Sequence, residues 1–209
     1  MKSGATQQVE LPSQVPVMFL PGLVLLPHVL LPLFIFEPRY RAMLAHALAQ
    51  ERMFCMATLA PGVEEVRGPD DYFHTCGVGL VRACVGHEDG TSHLILQGLA
   101  RVQLRGFVQE QPFKIAEVRE LPPSGGGDEQ CRALATRLRH LCSELTPDPA
   151  ERKKLEEQLA QIEEPAMLAD VMAHTFLRDS AHRQEVLLAL QVEERLRVVI
   201  RHLRAENAG

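Results

Sequence analysis

Two spacings of apolar residues divide the chain into two parts. In residues 15–121, short apolar runs and stretches that alternate apolar with polar side chains are separated by glycine and proline, which predicts β-strands joined by turns. In residues 128–209, leucine and other apolar side chains recur at helical spacing, which predicts amphipathic helices. The segment between them, 122–127, reads P-P-S-G-G-G and predicts a linker. Residues 1–14 are polar and aperiodic, and we expect a flexible tail there.

The most apolar stretch of the chain opens the β-rich part. Residues 15–20 predict a strand, and a second apolar run ends at Phe36. Prolines interrupt the second run, and because proline is excluded from central strands they mark a loop. A helix is predicted from Pro38, at the position where the missing N–H of proline costs no intrahelical bond. The loop, 23–31, is itself apolar, so either the rest of the fold covers it or it forms an exposed binding patch.

Turn and cap residues place other elements. Asp89-Gly90 between two strand-like runs predicts a hairpin in which Gly90 supplies the positive φ. Asp148 and Asp179 stand directly before periodic apolar segments and predict helix N-caps, whose carboxylates accept hydrogen bonds from free backbone N–H groups. The helical part is therefore predicted to hold several short helices rather than one long one.

Five motifs, in order along the chain, resemble those of the Lon protease amino-terminal domain family, which also includes the Lon-like domain of cereblon. Together with R-Q-E-V-L at 183–187 and E-R-L at 194–196, they extend the resemblance from about residue 15 to residue 204. The motifs are L-P-G-x-x-L-L-P at 20–27, L-P-L-x-I-F-E-x-R-Y at 31–40, G-x-G-x-V at 77–81, L-x-G-L-x-R-V at 96–102 and P-A-x-L-A-D-x-x-A at 165–173.

This resemblance implies both a fold and a function. The expected fold is α+β: a PUA-like pseudo-barrel with one main helix over residues 15–121, followed by a carboxy-terminal helical bundle over 128–209. The expected function is non-catalytic recognition of exposed apolar or unfolded polypeptide segments. The ATPase and serine-lysine protease of full-length Lon are not expected in this chain, which lacks a G-x-x-x-x-G-K-[ST] phosphate loop. We expect neither an enzyme activity nor a cofactor.

Such a module would bind its substrate by burying apolar side chains and by pairing an extended chain with the edge of a sheet. The apolar loop and the start of the first helix supply the candidate contact residues, with two further aromatic residues as possible neighbours. These candidates are Leu23, Leu25, Leu26, Phe36 and Tyr40, together with Phe107 and Phe113. The expected partners are unfolded or damaged polypeptides, and a protease or chaperone that receives them.

Charge and composition restrict the other possibilities. The net charge of −5 disfavours a general nucleic-acid surface. The chain has no uninterrupted apolar run of the ~20 residues that a membrane span needs. Its five cysteines follow no disulfide spacing, which favours reduced thiols and a cytoplasmic protein. A metal site is not expected, because Cys76 and Cys84 at the two ends of one strand would lie ~26 Å apart.

Two other functions remain open at this stage. The chain is alternatively an adaptor whose helical part binds one folded partner or a second copy of itself, and the sequence leaves its oligomeric state undetermined. RNA binding through the PUA-like barrel is the other alternative, with Arg101 and Arg105 as the basic residues on one strand. The acidic balance of the chain disfavours this second alternative.

Overall fold

The computed structural model describes residues 10–207 and confirms the predicted α+β class. The strands are β1 (Gln14–Leu20), β2 (Leu30–Ile35), β3 (Met53–Thr58), β4 (Thr75–Gly86), β5 (Ser92–Gln109) and β6 (Lys114–Glu120). The helices are α1 (Pro38–Ala49), α2 (Glu129–Glu144), α3 (Pro149–Leu159), α4 (Pro165–Phe176), α5 (Ser180–Leu188) and α6 (Val192–Glu206). Of the predicted tail, residues 1–9 lie outside the described residues, and so do residues 208–209 of the predicted bundle.

Five of the strands close into the predicted barrel. β3 pairs in parallel with β1 and antiparallel with β4, and β5 pairs antiparallel with β4 on one side and with β6 on the other. Pairing of β6 with β1 completes the closure. Because side chains alternate along a strand, one set fills the interior and the other packs against the helices. The interior set includes Val17, Cys55, Cys76, Val78 and Val102.

One end of β5 extends beyond the barrel and carries β2. Residues 92–97 of β5 pair with β2 on one side, from Leu30↔Gln97 to Ile35↔Ser92, and with the end of β4 on the other. The hairpin turn that joins β4 to β5 has Gly90 at φ +80°, as predicted. We call this three-stranded extension the flap: β2, residues 80–86 of β4 and residues 92–97 of β5.

Most of the apolar loop, residues 24–27 and Val29, lies in the core, and two glycines make room for it, whereas Leu30 at the start of β2 is exposed. A Cβ atom at Gly77 would lie 2.1 Å from the carbonyl oxygen of Leu25, and one at Gly98 would lie 2.0 Å from that of Leu26. Both distances are far shorter than van der Waals contact allows. The loop backbone therefore rests directly on the sheet at the glycines of the G-x-G and L-x-G motifs, while the side chains of Leu25 and Leu26 enter the core beside the helices.

The helical part begins after a segment that is attached to the bundle. In the predicted linker, the N–H of Ser124 donates to the carbonyl of Leu190 (3.1 Å) and its carbonyl accepts from the N–H of Val192 (3.0 Å). The predicted N-caps are confirmed: the Asp148 carboxylate accepts two backbone N–H groups of α3, and that of Asp179 accepts one of α5.

A buried ion-pair network joins the barrel to the helices. Arg101 of β5 makes two hydrogen bonds to the carboxylate of Asp170 of α4, at 2.6 and 2.8 Å, and donates to the carbonyl of Leu187 at 2.9 Å. Arg195 of α6 donates to the same carboxylate at 3.2 Å and to the carbonyl of Ala189 at 2.9 Å. All three charged side chains are almost completely buried, so the network holds together elements that are distant in sequence.

Candidate functional site

The outward face of the flap is apolar. The register aligns Phe34 of β2 with His93 of β5, which in turn aligns with Val85 of β4. Side chains opposite each other in a sheet point to the same face, so these three form one row across the flap. The next row on the same face is Pro32, Ile95 and Ala83.

Large apolar side chains on this face are open to solvent. Phe34 is 49% exposed, Phe36 58% and Val85 62%. The Phe34 ring stacks on Phe36, with ring centroids 5.9 Å apart, and lies 4.6 Å from the ring of His93. An open cavity of about 440 Å³ lies between the rows. The opposite face of the flap packs on the core through residues such as Leu94 and Leu96. The core therefore fixes the position of the flap while its outward face is exposed to solvent.

Polar groups border the flap face at the hairpin turn. His87 Nε2 and His93 Nδ1 are 2.8 Å apart and share a hydrogen bond. Asp89 accepts the N–H and the hydroxyl of Thr91, and these bonds hold the pKa of Asp89 below its usual range. An apolar centre with a polar border is the usual composition of a surface that binds another polypeptide.

Most of the apolar loop that was predicted from the sequence as a possible contact surface is buried. Leu25 and Leu26 have no solvent exposure, and the carbonyl of the partly buried Leu23 accepts a hydrogen bond from Thr58. Leu25 and Leu26 are therefore not accessible to another molecule in this fold. Residues 24–27 of the loop pack in the core, because exposure of their apolar side chains to water would be unfavourable.

The other candidate residues are distributed over different parts of the fold. Tyr40 is buried beneath β1, and Phe113 packs in the core with its ring 5.4 Å from that of His46. Phe107 is half-buried and meets the ring of Phe19 edge-on at 6.0 Å. Of the seven residues, Phe36 alone is on the flap face.

The Tyr40 hydroxyl binds the backbone of β1, and this role can be tested. Its hydroxyl accepts the N–H of Phe19 (3.1 Å) and donates to the carbonyl of the same residue (2.8 Å), and burial raises its pKa. Tyr40→Phe should lower the free energy of unfolding by about 1–3 kcal/mol, because two buried backbone groups lose their partner. Urea denaturation measures this change.

The second tyrosine is the matched control for Tyr40→Phe. Tyr72 is also buried, but among the described residues its hydroxyl has no protein partner at hydrogen-bond distance. Tyr72→Phe should therefore leave the unfolding midpoint nearly unchanged. Equal destabilisation by the two substitutions would show that loss of the Tyr40 hydroxyl bonds is not what matters.

Sequence reasoning missed Phe34, Val85 and His93. The signal was present at the end of β2, where Phe34 and the following Phe36 alternate with Ile35. In an extended chain, one of these sets faces the core and the other faces solvent. Val85 and His93 join them only through strand pairing, which a single sequence does not show.

Other functional sites receive little support from the described residues. Arg101, considered above for RNA contact, is buried in its ion pair with Asp170. Within residues 10–207, no group of three or more His, Cys, Asp or Glu side chains is arranged to hold a metal ion. No helix in this part of the chain combines the length and hydrophobicity needed to cross a membrane.

Comparisons with known proteins assign this closed barrel, with its apolar flap and docked helical bundle, to a family. The sequence model of the ATP-dependent protease La (LON) substrate-binding domain matches residues 14–205. The chain belongs to this family, as its motifs indicated, and it is thus a substrate-recognition module.

Individual relatives agree with this assignment. The chain is 26% identical over 196 residues to Lon protease of Desulfosudis oleivorans, covering 93% of this chain and 24% of the relative. It is 27% identical over 196 residues to Lon protease of Anaeromyxobacter dehalogenans, covering 91% and 23%. The chain therefore spans about a quarter of the length of these relatives.

Solved structures confirm the fold. The N-terminal domain of Mycobacterium avium complex Lon protease superimposes with a TM-score of 0.74 at 21% identity, over 91% of this chain and 97% of that one. A Lon N-terminal domain protein from Xanthomonas campestris superimposes with a TM-score of 0.66 at 18% identity, over 91% and 98%.

Proposed function

We propose that this protein binds exposed apolar segments of unfolded or damaged polypeptides on the flap face. The observation that carries the proposal is the exposed row of Phe34, His93 and Val85 beside Phe36, in a chain of the Lon substrate-binding family. Large apolar side chains grouped on one exposed face are typical of interaction surfaces. Unfolded chains expose the apolar residues that such a face can bury, whereas folded proteins hide them.

The flap face suits sequence-tolerant binding. Stacked aromatic rings offer a wide apolar area to many different side chains, and their two side-chain torsions cost little entropy when they are fixed. The flap is also fixed from behind by the core, so little ordering is needed when a segment binds. Affinity for any one segment is then moderate, which suits a module that must release what it binds.

The proposal extends to partners and compartment. We propose that bound polypeptides pass to a protease or chaperone, since the family takes its name from the substrate-binding part of an ATP-dependent protease. The five cysteines are free thiols, which suits the reducing cytoplasm. The net charge of −5 favours polypeptide over nucleic acid as the partner.

A binding titration tests the proposed function. The probe is fluorescein-labelled α-lactalbumin, reduced and carboxymethylated so that it stays unfolded, and native α-lactalbumin with the same label is the control. Fluorescence anisotropy should show saturable binding of the unfolded form alone. Equal binding of both forms, or of neither, would contradict the proposal.

Substitutions on the flap face locate the binding surface. Phe34→Ser and Phe36→Ser should each weaken binding of the unfolded probe by about tenfold to a hundredfold, because burial of one such ring contributes about 1.5–3 kcal/mol. Leu188→Ser is the matched control, since Leu188 is also large, apolar and exposed but lies at the end of α5. Equal weakening by all three would place the binding surface elsewhere.

A further inference from the structure

β2 has one unpaired edge. The strand order is β2-β5-β4-β3-β1-β6, so β2 is terminal, and β5 is its neighbour in the sheet. No strand within residues 10–207 pairs with the outer edge of β2. An unpaired edge offers backbone N–H and C=O groups to another extended chain.

The strand register shows which of these groups point outward. The N–H of Gly98 donates to the carbonyl of Val29 at 2.9 Å, and the two residues lie one step beyond the Leu30↔Gln97 pair. Hydrogen-bonded and non-hydrogen-bonded pairs alternate along an antiparallel ladder. Leu31, Leu33 and Ile35 therefore bond to β5.

The remaining residues of β2 direct their backbone groups to the free edge. Leu30 and Phe34 each present an N–H and a C=O there, and Pro32 presents its C=O. Proline occurs in edge strands where its missing N–H would face solvent, and the position of Pro32 agrees with this alternation. Unpaired N–H and C=O groups thus lie on both sides of Pro32 along the edge. The side chains of Leu30, Pro32 and Phe34 all lie on the flap face.

We propose that the polypeptide substrate binds as an added β-strand along this edge. This inference rests on the proposed function and specifies the conformation that the site accepts. The bound segment is extended, pairs through its own backbone with Leu30, Pro32 and Phe34, and places alternate side chains beside the exposed phenylalanines. Backbone pairing supplies affinity for any sequence, and the flap face selects segments with apolar residues at every second position.

A peptide with N-methylated backbone positions tests this geometry. The probe is a labelled nine-residue peptide of alternating Ile and Thr. One derivative carries N-methyl groups on the Ile residues, and the other carries them on the Thr residues. A peptide paired with β2 donates either the N–H groups of its Ile residues or those of its Thr residues, but not both. A shift in register by one residue would turn the Ile side chains away from the flap face.

The proposal predicts that one derivative loses at least tenfold in affinity while the other stays within twofold of the unmethylated peptide. Loss with methylated Ile corresponds to antiparallel addition, and loss with methylated Thr to parallel addition. Equal affinity of both derivatives would overturn strand addition. If the unmethylated peptide binds and Phe34→Ser weakens it, the proposed function stands even then. Failure of every peptide to bind overturns strand addition, and the titration with unfolded and native α-lactalbumin then decides on the proposed function.

The protein offers a second test on its own edge. Leu30→Pro removes an outward N–H without removing a bond to β5, and Leu30→Thr changes the side chain but keeps that N–H. Leu30→Pro should weaken peptide binding at least fivefold more than Leu30→Thr does, with circular dichroism confirming that both variants fold. Equal affinities of the two variants would overturn the role of the edge.

Light scattering at the concentrations of the titration separates substrate binding from self-pairing. The proposal expects a monomer in the absence of peptide. A stable dimer that Leu30→Pro dissociates would assign the free edge to a second copy of this chain and overturn the proposal.

Discussion

Asp170→Asn should destabilise the protein by about 3–5 kcal/mol. The substitution keeps the shape of the side chain and removes the negative charge, so the guanidinium groups of Arg101 and Arg195 remain buried together without a carboxylate. Loss of one partner from a buried ion pair leaves the other charge uncompensated. The pKa of Arg195 is already lowered to about 10, because burial disfavours its charged form and only Asp170 counters this. Urea denaturation monitored by circular dichroism measures the loss.

An exposed aspartate provides the control for this prediction. Asp148 caps α3 by accepting the N–H groups of Ala150 and Glu151, both at 2.9 Å. Asparagine caps a helix about as well as aspartate, so Asp148→Asn should shift the unfolding midpoint little. If Asp170→Asn were equally mild, the network would not hold the barrel and the bundle together.

Gly98→Ala should be similarly damaging, for a steric reason. The new methyl group would lie 2.0 Å from the carbonyl oxygen of Leu26, and neither backbone can move without separating the loop from the sheet. Overpacking of this kind costs typically about 1–3 kcal/mol and more where backbone must shift. We expect about 3 kcal/mol or more, measured as the lowered midpoint of urea unfolding.

Gly106→Ala tests whether the loss at Gly98 comes from contact with the loop. Gly106 belongs to the same strand, β5, but a Cβ there would have no neighbouring atom within 4 Å among the described residues. The control substitution should therefore change the unfolding free energy by less than about 0.5 kcal/mol, as is usual at unconstrained surface positions. Comparable losses at both positions would mean that β5 needs glycine for its own conformation and not for the loop.

Much of the fold follows from local sequence signals. The change of apolar spacing near residue 122 separates strands from helices, and Gly90, Asp148 and Asp179 perform the turn and cap roles that their chemistry predicts. These features depend on neighbours in the chain, so a single sequence contains them. The sequence alone does not explain why glycine is needed at positions 77 and 98, because the loop that these glycines accommodate is more than forty residues away along the chain.

The candidate site was harder to infer than the fold. Apolar residues of the loop and of the flap look alike in sequence, and whether Leu25 is buried while Phe34 is exposed depends on which sheet face the helices cover. The burial of the charged Arg101 was likewise not predictable from the sequence. A lone arginine in a strand indicates a surface position, and only the fold shows that Asp170 compensates it in the interior.

The length of β5 has a mechanical consequence. One continuous strand reaches from His93, beside the exposed Phe34, to Arg101, which is anchored to α4 through Asp170. A strand spans ~3.3 Å per residue, so this distance along the chain is ~26 Å. A pull on a polypeptide paired along β2, as proposed above, would load all of the pairing hydrogen bonds in shear, and β5 would transmit the force through Arg101 to α4. On the proposal of strand addition, we therefore expect the flap to stay attached to the barrel when a paired chain is pulled.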